Sequence, residues 1–335
     1  MKDKKLWFGL GISLFFMVIT FRKIDFHQLM VAFRSINVYY LGLAVVSTFV
    51  SYWFRAVRWR VLLMPLKATR PKNLFSATII GYMANNLLPA RLGEFVRAYA
   101  LARTESLTTS SVFATLVMDR LCDGFTVLLV LVITLFTVHL SPGMEAVQRN
   151  MERGGYIIFV VYVFAMFFLY ALKKWNRAMI RIITIILKPL PERFAIKTVS
   201  LLDAFMGGIR LSLHPAALAA VVLSSMAIWA TAIWPIDLVL RAFDIHLPLS
   251  ASLFIMIFLV FAVMVPAAPG FIGTYHYACT KGLQAFNVGN EQALSVALVI
   301  HAIGFFPVIV LGLWYLRRAN LTLKSIQEET ALAET

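Results

Sequence analysis

The sequence predicts an all-α integral membrane protein, a polytopic helical bundle of two inverted repeats with about six full spans and two re-entrant or broken helices. Three observations predict it. The 335 residues are 61% hydrophobic and only 14% charged, with a mean hydropathy of +0.82. Soluble domains carry about 25% charged residues, and one water-soluble core cannot hide this much apolar surface. Six apolar runs are long enough, or nearly so, to cross a bilayer. Two shorter runs each end at a proline in a Pro/Gly-bearing stretch.

The first run, 6–21, follows a basic start, "MKDKKLW". It ends in Thr20, Phe21 and Arg22 rather than at a small-x-small cleavage site, so it reads as an uncleaved first helix. The other long runs are 38–54, 112–138, 155–172, 215–240 and 291–316. The short runs are 73–88 and 250–265, ending in "LLPARLG" and "VPAAPGFIG". Proline removes a backbone donor and breaks a helix. Irregular backbone at membrane depth survives only where protein or a wet cavity covers it.

The net charge is +15. A nucleic-acid binder would gather that charge on one soluble face, whereas here it sits between apolar runs. With both short runs re-entrant and the N-terminus cytoplasmic, the cytoplasmic stretches 2–5, 55–72, 173–212 and 317–335 hold 20 Lys and Arg. The external stretches hold seven. That asymmetry predicts a multi-pass inner or plasma membrane protein with both termini cytoplasmic. If both short runs span instead, the second half keeps its sides only with further adjustment.

Pro89-Ala90-x-x-Gly93 recurs as Pro266-Ala267-x-x-Gly270. The same offset carries Pro71 to Pro248, and the helix start near Asn37 to His214. An amphipathic stretch precedes each of those helix starts, with Phe26, Leu29, Met30, Phe33 and Ile36 in one and Val199, Leu202, Phe205, Ile209 and Leu213 in the other. The expected organisation is one membrane domain, with repeats at 1–150 and 151–318 and a polar tail at 319–335. Three spans and one re-entrant segment per half give the halves opposite orientation, and paired breaks point to a transporter's substrate site.

Three polar groups interrupt the apolar runs. The first is Asn85, Asn86, Arg91, Glu94 and Arg97, around the break at Pro89 and Gly93. Arg91 and Glu94, and Glu94 and Arg97, are three apart and share a helix face. Arginine offers phosphate a planar fork, and a helix start offers free N–H groups. The bland alternative is a positively charged surface loop. The second is Asp119, Arg120 and Asp123, expected in the opening turns of the next span, with the acids on one face holding Arg91 or Arg97. A structural ion pair and direct substrate contact both fit. The third is "VPAAPGFIGTYHY", where Pro266, Pro269, Gly270 and Gly273 form a hinge and Tyr275 and His276 offer hydrogen bonds. A lone histidine also serves simply as a bonded packing residue. Arg55 and Arg58 read first as part of a basic, aromatic stretch facing an anionic leaflet, with an extension of the head-group site as the alternative.

Cys122 and Cys279 lie in apolar surroundings and are expected to be packing residues. No metal site, cofactor motif or catalytic motif is recognised.

At "NNLLPARLGEFVRAYAL", "VMDRLCDGFTVLL" and "PAAPGFIGTYHYA", the sequence resembles the flippase-like family of the transmembrane region of bacterial lysylphosphatidylglycerol synthases. The first motif is the specific one, matched at Asn86, Pro89, Arg91, Gly93, Glu94 and Arg97; Arg120 and Asp123 match the second. In the third, Phe271 stands where the family often has glycine and His276 where it often has glutamate, so a carboxylate role does not carry over. The resemblance implies movement of a phosphate-bearing lipid between leaflets, with aminoacyl transfer left to a separate soluble domain that is not expected here. Relatives fused to or encoded with glycosyltransferases imply polyprenyl-linked sugars as an alternative lipid class. A glycosyltransferase or lipid-modifying enzyme is then an expected partner, and a homo-oligomer is open. The rival expectation is a membrane-embedded enzyme acting on a lipid phosphate.

Overall fold

The computed structural model describes residues 2–22, 24–88, 92–138, 145–174, 214–265, 268–319 and 321. Among the described residues, eleven α-helices follow one another: α1 (Lys2–Phe21), α2 (Phe26–Arg34), α3 (Val38–Leu63), α4 (Pro71–Leu87), α5 (Gly93–Glu105), α6 (Thr109–Thr137), α7 (Glu145–Lys174), α8 (Pro215–Ala242), α9 (Leu249–Met264), α10 (Thr274–Gln284) and α11 (Asn290–Arg318). A short 3-10 turn, Pro269–Phe271, sits between α9 and α10. No strand occurs among the described residues.

Three of these helices, α3, α8 and α11, are long and apolar enough by length and composition to cross a membrane. Large apolar side chains face outward along several helices, including Val38, Phe136 and Val310. A water-soluble protein does not leave so much apolar surface uncovered. The helices α4 and α9 contain 17 and 16 residues. At 1.5 Å per residue each is about 25 Å long, short of a hydrocarbon core of about 30 Å. The polypeptide leaves the helix at the end of each and starts a new one after a few residues, as the prolines predict.

Local chemistry sets the helix starts. Asn37 caps α3 by accepting from the Tyr39 N–H, and His214 caps α8 through the Ala216 N–H. Proline opens α4 and α8, where no intrahelical donor is needed. The amphipathic stretch 26–36 forms α2; its counterpart at 199–213 lies outside the described residues.

The helices α3 and α8 pack together more extensively than any other pair. They run antiparallel, since the Ser47 hydroxyl donates to the Thr231 carbonyl and that of Ser51 to Ile228. Small residues, Ala44, Ser47 and Ser51 against Ser224 and Ser225, let the backbones approach. Two apolar cores flank this pair. One gathers Trp59, Leu74, Met83, Val96, Leu101 and Leu116 from α3 to α6. The other gathers Ile236, Val239, Ile255, Leu283, Val296 and Ile300 from α8 to α11.

Candidate functional site

The break after α4 is built by close contact. Gly81 and Gly93 let α4 and α5 fold against each other; a Cβ at Gly93 would lie 2.2 Å from the Gly81 carbonyl oxygen. Asn85 Oδ1 accepts from the Gly93 N–H at 2.9 Å and so caps α5. Asn85 therefore spends that oxygen on the backbone turn. Pro89 and Arg91 lie outside the described residues.

Past that break, charges from three helices meet. Arg58 of α3 is wholly buried; its Nε donates to Asp119 Oδ1 at 2.8 Å and its Nη2 to Asp123 Oδ1 at 2.7 Å. Its Nη1 reaches across to Ser225 Oγ of α8 at 3.1 Å. Arg97 of α5, also buried, donates from Nη1 to Asp119 Oδ2 at 3.1 Å and lies 4.1 Å above the Trp59 ring. Arg120 bridges both aspartates at 3.2 Å and approaches Glu94 at 3.7 Å. Arg55 donates to Asp123 Oδ2 at 3.1 Å. Burying ions costs several kcal/mol each, and only a network with good geometry offsets that cost. Among the described residues, four guanidinium groups face three carboxylates here, an excess of one positive charge.

The pairing differs from the expected one in three ways. Glu94 meets Arg120, not Arg97 on its own helix, because Arg97 is drawn to Asp119. Asp119 and Asp123 do share a face, but α6 begins at Thr109, so they sit well inside the helix rather than in its opening turns. Arg58, read as a leaflet-facing cation, is the buried centre of the network. The missed signal was the three-residue spacing of Arg55 and Arg58 on a run that continues as one helix to Leu63, which turns both toward α6.

A cavity of about 560 Å³ opens beside this network. Its polar side is formed by Arg55, Glu94, Arg120, Asp123, Asn85, Asn86 and Tyr82. Its other walls are apolar: Ile236 and Val239 of α8, Met256 and Val260 of α9, and Ile300 and Ile303 of α11. Arg97 and Asp119 do not line it; they stand behind Arg120. Several polar atoms here lack a hydrogen-bond partner, among them Arg120 Nε, Glu94 Oε2 and the Trp229 indole nitrogen.

The second break meets the first beside the cavity. Phe271 and Tyr275 line it, and a Cβ on Gly270 would lie 3.6 Å from the Asn86 carbonyl oxygen. The 3-10 turn contains Pro269 and Gly270, and Gly273 precedes α10; Pro266 lies outside the described residues. His276 is buried against His301 of α11, a partner no local pattern announces. Cys122 and Cys279 are free thiols, the second buried.

The family model described as the lysylphosphatidylglycerol synthase TM region matches residues 6–312. The chain belongs to this family. Three relatives place it further. It is 24% identical over 312 residues to the glycosyltransferase AglD of Haloferax volcanii, covering 86% of this chain and 50% of that protein. It is 25% identical over 291 residues to a UPF0104 membrane protein of Methanothermobacter thermautotrophicus, covering 84% and 86% of the two. A UPF0104 membrane protein of Pyrococcus horikoshii is 23% identical over 308 residues, covering 86% and 90%. The chain thus spans half the length of the first and most of the other two. No solved structure matches. Membership of the lysylphosphatidylglycerol synthase TM region family and the apolar helices together make this a multi-pass membrane protein.

Proposed function

We propose that the chain moves a phosphate-bearing lipid between the leaflets of the membrane. One observation carries the reading: a single cavity has a charged side, Arg55 and Arg120 with Glu94 and Asp123, and largely apolar walls on α8, α9 and α11. A lipid head group and its chains divide in the same way. Arg120 is the receiving cation, since it lines the cavity and its side chain is 38% exposed. Arg58, Arg97 and Asp119 hold it in place from behind. The phosphate belongs to a phospholipid, an aminoacylated phospholipid or a polyprenyl-linked sugar.

The helix boundaries support two inverted repeats. Val38 opens α3 and Pro215 opens α8; Leu87 ends α4 and Met264 ends α9. Each pair is separated by the same offset as the two proline breaks. Ser51 donates to the carbonyl of Ile228, a residue 177 positions on. A residue touching its own counterpart lies on a two-fold axis, and an antiparallel pair places that axis in the membrane plane. On this reading six full spans and two broken segments enclose the cavity, with both termini cytoplasmic.

Transport is favoured over catalysis by the state of Asp123; Glu94, whose Oε2 has no partner, is the acid left to a catalytic rival. Asp123 already accepts from Arg55, Arg58 and Arg120, which makes it a poor proton acceptor. A role as the partner of a glycosyltransferase rests on the name of the Haloferax relative alone. Purified protein in liposomes tests the proposal by following head-group translocation. Wild type is expected to translocate a phosphate-bearing lipid and Arg120→Gln to do so at a small fraction of that rate. Equal rates at equal protein content would remove the assigned site.

A further inference from the structure

The second break is a strained loop pinned by two histidines. Gly270, Phe271 and Gly273 have φ of +74°, +56° and +93°. Positive φ is unfavourable for phenylalanine, so surrounding bonds must hold the loop in this shape. His276, in the first turn of α10, accepts from the Gly273 N–H at Nδ1, 3.4 Å away. Its Nε2 lies 3.1 Å from Nδ1 of His301 on α11. His301 is in turn hydrogen-bonded to the backbone of Gly270.

These bonds assign the tautomers. Nδ1 of His276 is an acceptor, so its proton sits on Nε2 and points at His301. Nδ1 of His301 therefore accepts, and its own proton sits on Nε2. Both rings are neutral, and three of the four nitrogens are engaged in these two contacts. An added proton has two places to go. On Nδ1 of His301 it would face the His276 N–H. On Nδ1 of His276 it would turn the acceptor for Gly273 into a donor. Either placement breaks one of the bonds that pin the loop, and the second leaves the new charge shared with His301.

The groups facing the pair are uncharged. Tyr275 stacks on His301 at 4.8 Å and Phe305 lies 5.4 Å from it. Cys279 and, from α3, Tyr52 are the titratable neighbours of Tyr275. Ser13 of α1 and Asn86 of α4 meet the loop through backbone carbonyls. Neither ring has an ion-pair partner among the described residues.

We propose that the His276–His301 pair is a proton-binding site that couples release of the second break to the transmembrane proton gradient. The coupling rests on the lipid-transport reading; the proton site does not. Nitrogen-15 NMR of histidine-labelled full-length protein in lipid bilayers tests the site over about pH 4 to 8, around the ordinary imidazole value of about 6.5. The two rings, each assigned by the loss of its own signals in His276→Asn or in His301→Gln, are expected to titrate together. Independent titration of the two rings, or uptake of no proton by either, overturns the site. The Asn variant keeps an acceptor where Nδ1 stands, so the turn at Gly273 is preserved. Liposomes with an imposed pH difference test the coupling. One pH unit is expected to shift the lipid distribution by about tenfold for a single coupled proton, and the shift is expected to vanish in both variants. A wild-type distribution indifferent to the pH difference overturns coupling and leaves the lipid reading intact. Absence of any translocation by wild type sinks the lipid reading, and the titration alone then decides the proton site.

Discussion

Arg58 Nε lies 2.8 Å from Asp119 Oδ1, and neither side chain touches solvent. The aspartate carries more of the network than the arginine does. Asp119 compensates Arg58, Arg97 and Arg120, whereas loss of Arg58 still leaves Asp119 two cations.

Asp119→Asn is therefore expected to destabilise the protein by about 3–5 kcal/mol, since it strands buried charge. Arg58→Met is expected to cost less. Thermal unfolding in detergent checks the order. A larger loss for Arg58→Met would contradict the ranking of Asp119 above Arg58.

Arg120 and Arg97 are expected to separate by phenotype. Arg120 faces the cavity, so Arg120→Gln should lower lipid translocation by about tenfold or more, the worth of one or two charged hydrogen bonds, with little change in melting. Arg97 is buried against Trp59 and Asp119, so Arg97→Gln should lower both. Parallel melting and transport measurements decide it.

The first break depends on close approach. Asn85→Ala removes the acceptor for the Gly93 N–H and should cost about 1 kcal/mol, as for other lost caps. Gly93→Ala should cost more, about 1–3 kcal/mol, because its Cβ meets backbone that cannot swing away. If Gly93→Ala melts like wild type, the α4–α5 contact is wrongly described.

A pH dependence follows at Glu105, on the loop side of α5. Burial pushes its carboxyl up, but hydrogen bonds from Asn73 and Lys67 and the charge of Lys67 outweigh this and hold it below the ordinary value. The folded form thus binds its proton less readily than the unfolded chain. Its contribution is present above the unfolded value of about 4.3 and is lost as pH falls through the lowered one. Lys67 is half-exposed, so the effect is at most about 1 kcal/mol. Glu105→Gln should flatten that part of the stability curve below about pH 5. An unchanged acid limb would rule this out.

The sequence announced elements where one local rule decided them. Proline at 71 and 248, the cap at Asn37 and the apolar runs located the starts of α3, α4, α8 and α9 to within a few residues, while α3 runs on to Leu63, well past the apolar run that ends at 54. It announced that the acids of α6 would hold an arginine, because buried carboxylates need cations. It named Arg97, which Asp119 does hold, and missed Arg58. Arg58 reads locally as an interfacial cation; only the packing of α3 against α6 and α8 brings it to Asp119 and Ser225. His301 was silent for the same reason, lying on an apolar helix 25 residues beyond His276. Non-local partners of isolated polar residues leave no periodic trace.

The central claim is that a phosphate-bearing lipid sits in the cavity with its head group at Arg55 and Arg120. Native mass spectrometry of the purified protein tests it most directly. Wild type is expected to retain such a lipid through detergent extraction, and Arg55→Gln/Arg120→Gln protein of native melting behaviour to lose it. Equal retention of the same lipid by both would contradict the account.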